Sequence, residues 1–280
     1  MMPSANYLFD CLNYAQYFEN YQINSILDVD LDEYGSISKK IVRPIYFSVD
    51  PSSSEAFGPE LDDLIRLHYL VTTRKVTTVL EFGVGKSTLV FNHAIERNKV
   101  RYLRFVEENL RCTHPFQCFS IDNSEKWISK CQEAGATPNV TYHFSDCIVS
   151  TFQDRVCTYY SDMPNVCPDL IYVDGPDQFS PKGAVRGLTT NHPDRVPMCA
   201  DLLALEHFLQ PGTLIVVDGR SANARFLKCN FQRDWGYFYI EDYDQHFFEL
   251  LEEPLGVYNK RKIDFSLGSG FYERLEKFGK

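Results

Sequence analysis

The residues best suited to chemistry lie in one stretch, Thr77 to Thr88, which reads TTVLEFGVGKST. Its first half is apolar and predicts a short strand, two glycines follow at Gly83 and Gly85, and a helix is expected to open at Ser87. Glycine lets the main chain turn sharply and puts no side chain between the backbone and a ligand. The first amides of a helix are unpaired and lie at the positive end of its dipole, so this turn can attract a carboxylate or a phosphate.

Three kinds of ligand-binding turn share this outline. A phosphate-binding P-loop needs a glycine five positions before Gly85, where the chain has Leu80, so a P-loop is excluded. A dinucleotide-binding turn needs a third glycine where Thr88 stands, which disfavours a nicotinamide or flavin cofactor without excluding it. The third kind is a strand that ends in an acidic residue, here Glu81, followed by Gly-x-Gly. A glycine turn that binds nothing remains the alternative.

The elements around this turn alternate between helix and strand. Strands are predicted over residues 117–121, 140–144, 168–173 and 213–217, and helices over residues 59–73, 87–97 and 198–209. Residues 237–240 and 247–251 flank a polar turn and predict a hairpin. This pattern predicts a mixed α/β fold: a Rossmann-like, doubly wound, mostly parallel sheet of about seven strands, with an antiparallel last strand and helices on both faces.

Together these features resemble the class I S-adenosylmethionine-dependent methyltransferases over residues 59–252. The resemblance rests on the Glu-Phe-Gly-Val-Gly run after the first strand, on the ordered elements and on the terminal hairpin, because the sheet of that family has a reversed last strand. It implies S-adenosylmethionine as the cofactor. By position it assigns the methionine portion to Glu81 and the amides from Gly83 through Gly85 to Ser87, the ribose to Asp122, and the adenine to Asp146 with the Cys147 amide.

Asp122 follows the second predicted strand, where an acidic side chain can accept hydrogen bonds from both hydroxyls of a ribose. It lies 37 residues after Gly85, whereas compact dinucleotide folds have about 20 residues there, so an insertion is expected between the two. Alternatively, Asp122 only caps the helix expected to begin at Ser124.

Candidate catalytic residues follow the fourth and fifth strands. The resemblance implies that Asp174 faces the reacting methyl group or the amino group of the cofactor. Methyl transfer to a hydroxyl needs alignment and also a base or a metal. Asp174 and Asp218 are expected at adjacent strand tips, where they could supply a base or bind a divalent metal ion, or merely cap turns. His192 is a second candidate base, with a solvated loop histidine as the alternative.

Basic residues surround the same crevice. The connection over residues 178–197 is longer than usual, which favours a lid or substrate-binding role, and it carries Arg186. A second basic cluster begins at Arg220, after the fifth strand. We expect the two clusters to attract a small anionic acceptor that carries phosphate or carboxylate, while a solvated basic face is the alternative.

The composition bounds the class of protein. With 280 residues, 44% apolar and 24% charged, the chain is typical of a soluble globular protein. Its formal net charge of -10 argues against binding nucleic acid or an acidic membrane, and no apolar run approaches the roughly 20 residues of a membrane span. Nine cysteines without a Cys-x-x-Cys pair favour reduced thiols, and the N-terminus lacks secretory features, so a cytoplasmic location is expected.

Three segments are predicted along the chain. Residues 1–58 are rich in aromatics and form either a cap or a homo-oligomer contact, or simply pack on the main domain, which covers residues 59–252. Residues 253–280 are expected to form a charged tail with little core of its own. The expected activity is methylation of an oxygen on a small polar or anionic acceptor. The alternatives are a catalytically silent nucleotide-binding or assembly module of the same fold, and a nicotinamide-dependent oxidoreductase.

Overall fold

The computed structural model describes residues 5–27, 61–192 and 194–279. Residues 28–58 of the predicted N-terminal extension, and the expected helix start at residue 59, lie outside this range. The strands β1 to β9 cover Thr78–Phe82, Gln117–Asp122, Val140–Phe144, Cys147–Phe152, Arg155–Tyr160, Leu170–Val173, Leu214–Asp218, Trp235–Ile240 and Gln245–Leu250. The helices α1 to α9 cover Tyr14–Tyr21, Asn24–Leu27, Leu61–Thr73, Lys86–Asn109, Glu125–Ala134, Asp201–Leu205, Ser221–Asn230, Gly256–Ser266 and Ser269–Phe278. Short 3₁₀ turns occupy Ala5–Leu8, Glu206–Phe208 and Glu241–Tyr243.

Seven of these strands form one sheet in the order β3-β2-β1-β6-β7-β9-β8. The pairs from β3 to β7 are all parallel, and β9 runs antiparallel to both β7 and β8. The predicted α/β fold, with a mostly parallel sheet and a reversed last strand, is therefore confirmed. Strands β4 and β5 form a separate two-stranded sheet.

Apolar cores cover both faces of the main sheet. Because successive side chains of a strand point to opposite faces, Val79 of β1 joins one core and Leu80 joins the other. The first core contains Leu67 of α3 and Phe91 of α4, and the second contains Leu227 of α7. Every residue of β1 and of β6 is buried, which is why these strands read as short, nearly continuous apolar runs.

Helix α4 is longer than the sequence predicts. It runs for 24 residues from Lys86 to Asn109, whereas the expected helix ends at Arg97. The basic residues Arg101 and Arg104 therefore lie on its exposed later turns. These additional helical turns account for the wide spacing between Gly85 and the second strand. The predicted helix over residues 198–209 is shorter than expected, since α6 gives way to a 3₁₀ turn.

The hairpin of β4 and β5 was not predicted. Its two-residue turn, Gln153 and Asp154, has positive φ angles of 47° and 65°. The long connection over residues 178–197 was predicted to be a lid or a substrate-binding segment. Together with the residues just after it, this connection attaches to both edges of the hairpin. Val149 N donates to Lys182 O at 2.8 Å, and Ala200 N donates to Thr158 O at 2.9 Å. The connection is thus tied to secondary structure near each of its ends.

The expectation of a charged tail over residues 253–280 needs correction. Helices α8 and α9 bury Ile263 and Phe271 in a small core with Leu251. Arg274 of α9 donates from Nε to Oε2 of Glu249 at 2.8 Å, and Glu249 is fully buried on β9. The segment is held to the sheet by both apolar packing and this buried ion pair. At the other end of the described chain, Phe18 and its neighbours in α1 and α2 pack against α3 and α4.

Two glycines bring the ends of β1 and β6 into direct backbone contact. A Cβ atom added to Gly175 would lie 2.7 Å from Gly83 N and 2.9 Å from Gly83 Cα. A Cβ on Gly83 would lie 2.9 Å from the carbonyl carbon of Asp174, and Gly83 also has a φ of 99°. Neither position has space for a side chain. Gly85 differs, because a Cβ there would meet no atom within 4 Å.

We therefore predict that Gly175→Ala destabilises the protein by about 1–3 kcal/mol, because the added methyl group collides with backbone rather than with a flexible side chain. Gly85→Ala is the matched control, with a clearly smaller loss, since its methyl group enters open space and its φ of -171° is extended. Urea denaturation of both variants measures the difference. Equal losses would contradict the proposed backbone contact.

Candidate functional site

The candidate site lies where the carboxyl ends of the parallel strands meet. Chain order reverses beside β1, which pairs with β2 on one side and with β6 on the other. In open α/β sheets, ligands bind in the crevice outside the strand ends at such a point. The residues predicted from the sequence follow β1, β2, β3, β6 and β7, so the topology brings all of these strand ends to the same edge.

The bend between β1 and α4 offers backbone donors. Gly85 is the N-cap of α4 and has no side chain, and its amide donates to Thr88 Oγ1 at 3.1 Å. The first amides of a helix have no partner within the helix and lie at the positive end of its dipole. Because the space beside Gly85 is open, a carboxylate or phosphate can approach these amides.

Asp122 lies against this bend. Its Oδ2 accepts the Val84 amide at 2.8 Å and its Oδ1 accepts the Ser124 amide at 2.8 Å. Burial raises the pKa of Asp122, and the two amide donors oppose that change. The N-cap of α5 is Ser124 rather than Asp122, and Asp122 also contacts the bend after β1, so Asp122 does more than cap this helix. Each carboxylate oxygen has a second lone pair, which leaves acceptor capacity for hydroxyls of a ligand.

Glu81 is turned away from solvent. It is fully buried, and its carboxylate accepts hydrogen bonds from the hydroxyls of Ser87 at 2.5 Å, Thr88 at 2.7 Å and Ser120 at 2.5 Å. Burial raises the pKa of Glu81 to about 7, although the three hydroxyls oppose this. The structure thus joins Glu81 and Ser87 to each other beneath the bend. Their predicted contact with a cofactor stays a prediction.

The long connection after β6 crosses above the ends of β2 and β3. Asn123 donates from Nδ2 to Ser180 Oγ at 2.7 Å, and Lys182 donates from Nζ to Oδ1 of Asp146 at 2.7 Å. Cys147 is buried at the start of β4 and accepts the Lys182 amide through its carbonyl at 2.8 Å. Asp146 and Cys147 are therefore near the crevice but already contact Lys182.

Arg220 joins the turn after β7 to the turn after β6. Its guanidinium donates to the carbonyl oxygens of Asp174 and of Pro176, the latter at 2.8 Å, and its Nε lies 3.5 Å from Asp174 Oδ1. Arg220 was predicted to bind substrate. The structure gives its donors to backbone instead, so its main contact is with the turn that carries Asp174.

The alternative of a divalent metal between Asp174 and Asp218 finds no support. Asp218 Oδ2 accepts the Tyr172 hydroxyl at 2.7 Å, and a guanidinium already accompanies Asp174. Across the residues that the structure describes, no group of three or more His, Cys, Asp or Glu side chains is arranged to hold a metal ion.

The two other predicted residues lie further out on the long connection. Arg186 is exposed at the tip of a tight turn between Val185 and Leu188, with a φ of 53°. His192 is half exposed, and its Nδ1 accepts the Asp194 amide at 3.2 Å. No contact among the described residues links either side chain to the bend after β1.

The sequence did not point to a second histidine near the crevice. His246 lies in β9, next to Val217 of β7. Its Nε2 is 2.8 Å from Ser221 Oγ and its Nδ1 is 2.9 Å from the Tyr237 hydroxyl. In the sequence, His246 is one of three polar residues in β9, and only the pairing of β7, β8 and β9 brings Ser221, His246 and Tyr237 together.

The fold is that of a Rossmann-like α/β protein, with the candidate site at the switch point of its sheet. No protein-family model matches the chain. No curated protein matches it either. Among solved structures, the chain is similar to the methyltransferase PaMTH1 of Podospora anserina, crystallised with SAH bound. The identity is 12%, the match covers 88% of this chain and 93% of that chain, and the TM-score is 0.41, so this likeness carries no argument about function.

No helix in the described parts of the chain is both long and apolar enough to cross a membrane. All nine cysteines are free, as the absence of a paired pattern suggested.

The buried Glu81 gives a prediction about pH. Because the pKa of Glu81 rises from 4.5 to about 7 on folding, the protonated form favours the folded state. This contribution is complete below pH 4.5 and is lost as the pH rises through about 7. Relative to Glu81→Gln, the wild type should therefore lose about 3 kcal/mol of stability between pH 4.5 and pH 7.5.

Chemical denaturation of both proteins at a series of pH values measures this difference. Glu107→Gln, at an exposed position of α4, is the control for a general change in charge. A stability difference between the wild type and Glu81→Gln that stayed constant across this range would contradict the prediction.

Proposed function

We propose that this protein is an S-adenosylmethionine-dependent methyltransferase that methylates an oxygen of a small acceptor. The observation that carries the proposal is the Asp122 carboxylate hydrogen-bonded to Val84 in the bend after β1, beside the open space at Gly85. This arrangement puts an acceptor for sugar hydroxyls next to donors for an amino-acid carboxylate. The acceptor, Asp122, is at the end of β2 and the donors follow β1, and these two strands are adjacent at the switch point.

The residues fit such a cofactor in the following way. The first amides of α4 would receive its carboxylate, Asp122 its ribose hydroxyls, and the segment around Asp146 and Cys147 its adenine. When bound, the cofactor would supply a methyl group on a sulfonium. Asp174 follows β6, on the other side of the switch point from Asp122, with its side chain half exposed beside Arg220.

The long connection must allow the cofactor to enter. Its described ties over the crevice are the hydrogen bond from Asn123 to Ser180 and the ion pair between Lys182 and Asp146, whose side chains are 67% and 42% exposed. An exposed ion pair and one such hydrogen bond contribute only about 1 kcal/mol each. We infer that these two side-chain contacts open at low cost to admit the cofactor, while the backbone hydrogen bonds of Lys182 to Cys147 and Val149 keep that part of the connection on β4.

A catalytically silent module of the same fold is the second candidate. Two observations favour it: these contacts bridge the predicted adenine and ribose positions, and the carboxylate of Glu81 is already bonded to three hydroxyls. A titration with S-adenosylhomocysteine separates the two candidates. A silent assembly module would not bind this compound.

We therefore predict that calorimetric titration with S-adenosylhomocysteine gives saturable binding to the wild type. Asp122→Asn should weaken it about 10-fold, because one charged acceptor becomes a neutral amide and the loss is of the order of one hydrogen bond. Asp154→Asn is the matched control, in the exposed turn between β4 and β5, and should bind like the wild type. Absence of binding in the wild type would remove the methyltransferase proposal.

The acceptor is proposed to be a small anion. Several basic residues of the predicted clusters have partners of their own, since Lys182 contacts Asp146 and Arg233 contacts Glu252. Arg186 has no such partner among the residues that the structure describes, and Arg225 of α7 is exposed. These two remain to attract phosphate or carboxylate in a chain of net charge -10.

In a methyl-transfer assay, we predict faster turnover of hydroxyl compounds that carry phosphate or carboxylate than of uncharged analogues. Arg186→Glu should reduce this preference several-fold by raising KM. Arg104→Glu is the control, because Arg104 is 90% exposed but lies near the far end of α4, about 27 Å from its start. An unchanged preference in Arg186→Glu would contradict a role for this residue.

We further propose that the protein works in the cytoplasm, with its free cysteines reduced. A homo-oligomer formed through the N-terminal segment remains a proposal as well, since in the described chain this segment packs on α3 and α4 of its own domain.

A further inference from the structure

Three side chains behind the end of β7 form a continuous chain of hydrogen bonds. Ser221, the first residue of α7, lies 2.8 Å through its Oγ from Nε2 of His246 on β9. Nδ1 of His246 lies 2.9 Å from the hydroxyl of Tyr237 on β8. An activated serine or a proton relay has this arrangement, in which a hydroxyl contacts an imidazole and a third group orients the imidazole.

The imidazole is fixed in place. His246 is 2% exposed and stacks on two tyrosines of β8, with ring centroids 4.3 Å from Tyr239 and 6.0 Å from Tyr237 and interplanar angles of 18° and 19°. Ser221 is partly exposed. Of the histidine and the serine, only the serine hydroxyl is therefore accessible to a ligand, with the histidine behind it.

Burial favours the neutral form of His246. Burial lowers the pKa of His246, and Arg225 and Lys228 of α7 lower it further, whereas Asp244 in the turn before β9 raises it. Burial also raises the pKa of Tyr237, so its hydroxyl keeps its proton. A neutral imidazole has one nitrogen that accepts and one that donates. It can therefore accept a proton at neutral pH.

The position of Ser221 relates this chain of hydrogen bonds to the crevice. Ser221 directly follows Arg220, whose guanidinium contacts the turn at Asp174 and Pro176. Ser221 itself follows the end of β7, on the opposite side of the switch point from Asp122, and its hydroxyl contacts β9. The cofactor-binding candidates follow β1, β2 and β3, which leaves the ends of β6 and β7 and the start of β9 for the acceptor.

We propose that Ser221 and His246 form the proton-accepting pair for the hydroxyl of the acceptor, an inference that rests on the proposed function. The acceptor hydroxyl gives its proton to Ser221 Oγ as the proton of Ser221 moves to His246 Nε2. The electron pair left on the acceptor oxygen forms the new bond to carbon, and the sulfur of the donor keeps the pair of the bond that breaks. Tyr237 positions the ring by accepting a hydrogen bond from Nδ1.

His246 suits this role better than His192. The Nδ1 of His192 accepts a backbone amide in a half-exposed loop, and no described contact ties it to the strand ends. Asp174, the other candidate base, already has the Arg220 guanidinium beside it. Ser221 contacts the acceptor directly in this proposal, and His246 acts through it.

The tautomer of His246 provides a test that needs no substrate. Nitrogen NMR of the full chain at pH 7 should find a neutral ring with the proton on Nδ1 and an unprotonated Nε2 that faces Ser221. A proton on Nε2, or a charged ring at pH 7, would overturn the proposal. In that state the histidine could not accept the serine proton.

The reactivity of Ser221 provides a second test. A fluorophosphonate probe should phosphonylate Ser221, as the serine oxygen attacks phosphorus, fluoride leaves and the proton passes to His246. The rate should rise with pH as His246 loses its proton and should then stay constant around pH 7. His246→Gln should slow labelling about 100-fold. No labelling of Ser221, or an unchanged rate in the variant, would overturn the proposal.

Two tyrosine variants give a matched comparison if His246→Gln folds poorly. Both tyrosines stack on His246, but only Tyr237 bonds its Nδ1, since Tyr239 donates to Asp244 Oδ1 at 3.3 Å. Tyr237→Phe should slow labelling about 10-fold, the effect of one lost hydrogen bond, while Tyr239→Phe stays close to the wild type. Equal effects of the two variants would mean that the contacts only pack the strand.

The titration with S-adenosylhomocysteine separates this inference from the proposed function. We expect His246→Gln and the wild type to bind the compound equally, because His246 lies on the acceptor side. Absence of binding in the wild type removes the methyltransferase and, with it, the acceptor role of Ser221. Binding in both proteins, with unchanged labelling in the variant, removes only the role of His246.

Discussion

The site depends on the contact between the backbones of Gly83 and Gly175. Two parallel strands that each end in a turn normally need room for side chains between those turns, whereas here the main chains touch. This contact fixes the turn after β1 relative to the turn after β6. This contact leaves no gap between the two turns at the switch point of the sheet. The groups carried by one turn are therefore held at a fixed distance from those carried by the other.

Similar ties continue along the same edge of the sheet. Asp122 joins the end of β2 to the bend after β1, Arg220 joins the turn after β7 to that after β6, and His246 joins β9 to the start of α7. Each tie uses a polar side chain with partners on the neighbouring element. Such contacts hold functional groups in position. The long connection reaches the same edge through the side chains of Ser180 and Lys182.

The sequence predicts the framework well because burial leaves a strong signal. A strand buried on both faces, such as β6, must be apolar almost throughout, and the hairpin of β8 and β9 surrounds a polar turn. The hairpin of β4 and β5 was missed because Gln153 and Asp154 at its turn are not the usual asparagine or aspartate followed by glycine. The length of α4 was missed because the basic residues of its later turns were interpreted as a basic segment after the helix, although Leu103 and Val106 pack on the core at helical spacing.

The site was only partly predictable, for a different reason. Residues next to a strand end can be placed from the sequence, and Asp122 is such a residue. Whether a side chain can face a ligand or is already hydrogen-bonded within the protein depends on its neighbours in space. The hydroxyl of Ser120, on the adjacent strand, helps to satisfy Glu81, and the link from Ser221 through His246 to Tyr237 spans three elements. No local pattern in the chain encodes such partners.

The contacts of Arg220 also decide what its charge can do. Carbonyl oxygens satisfy hydrogen-bond donors but do not neutralise a cation, and the carboxylate of Asp174 near its guanidinium is half exposed and 3.5 Å away. Its field at the crevice is therefore reduced but not cancelled. Arg220 can thus attract an anion towards the crevice without forming a direct hydrogen bond to it. A proton that reaches His246 during turnover would add positive charge on the same side, so an anionic acceptor would help to stabilise the imidazolium that its own deprotonation creates.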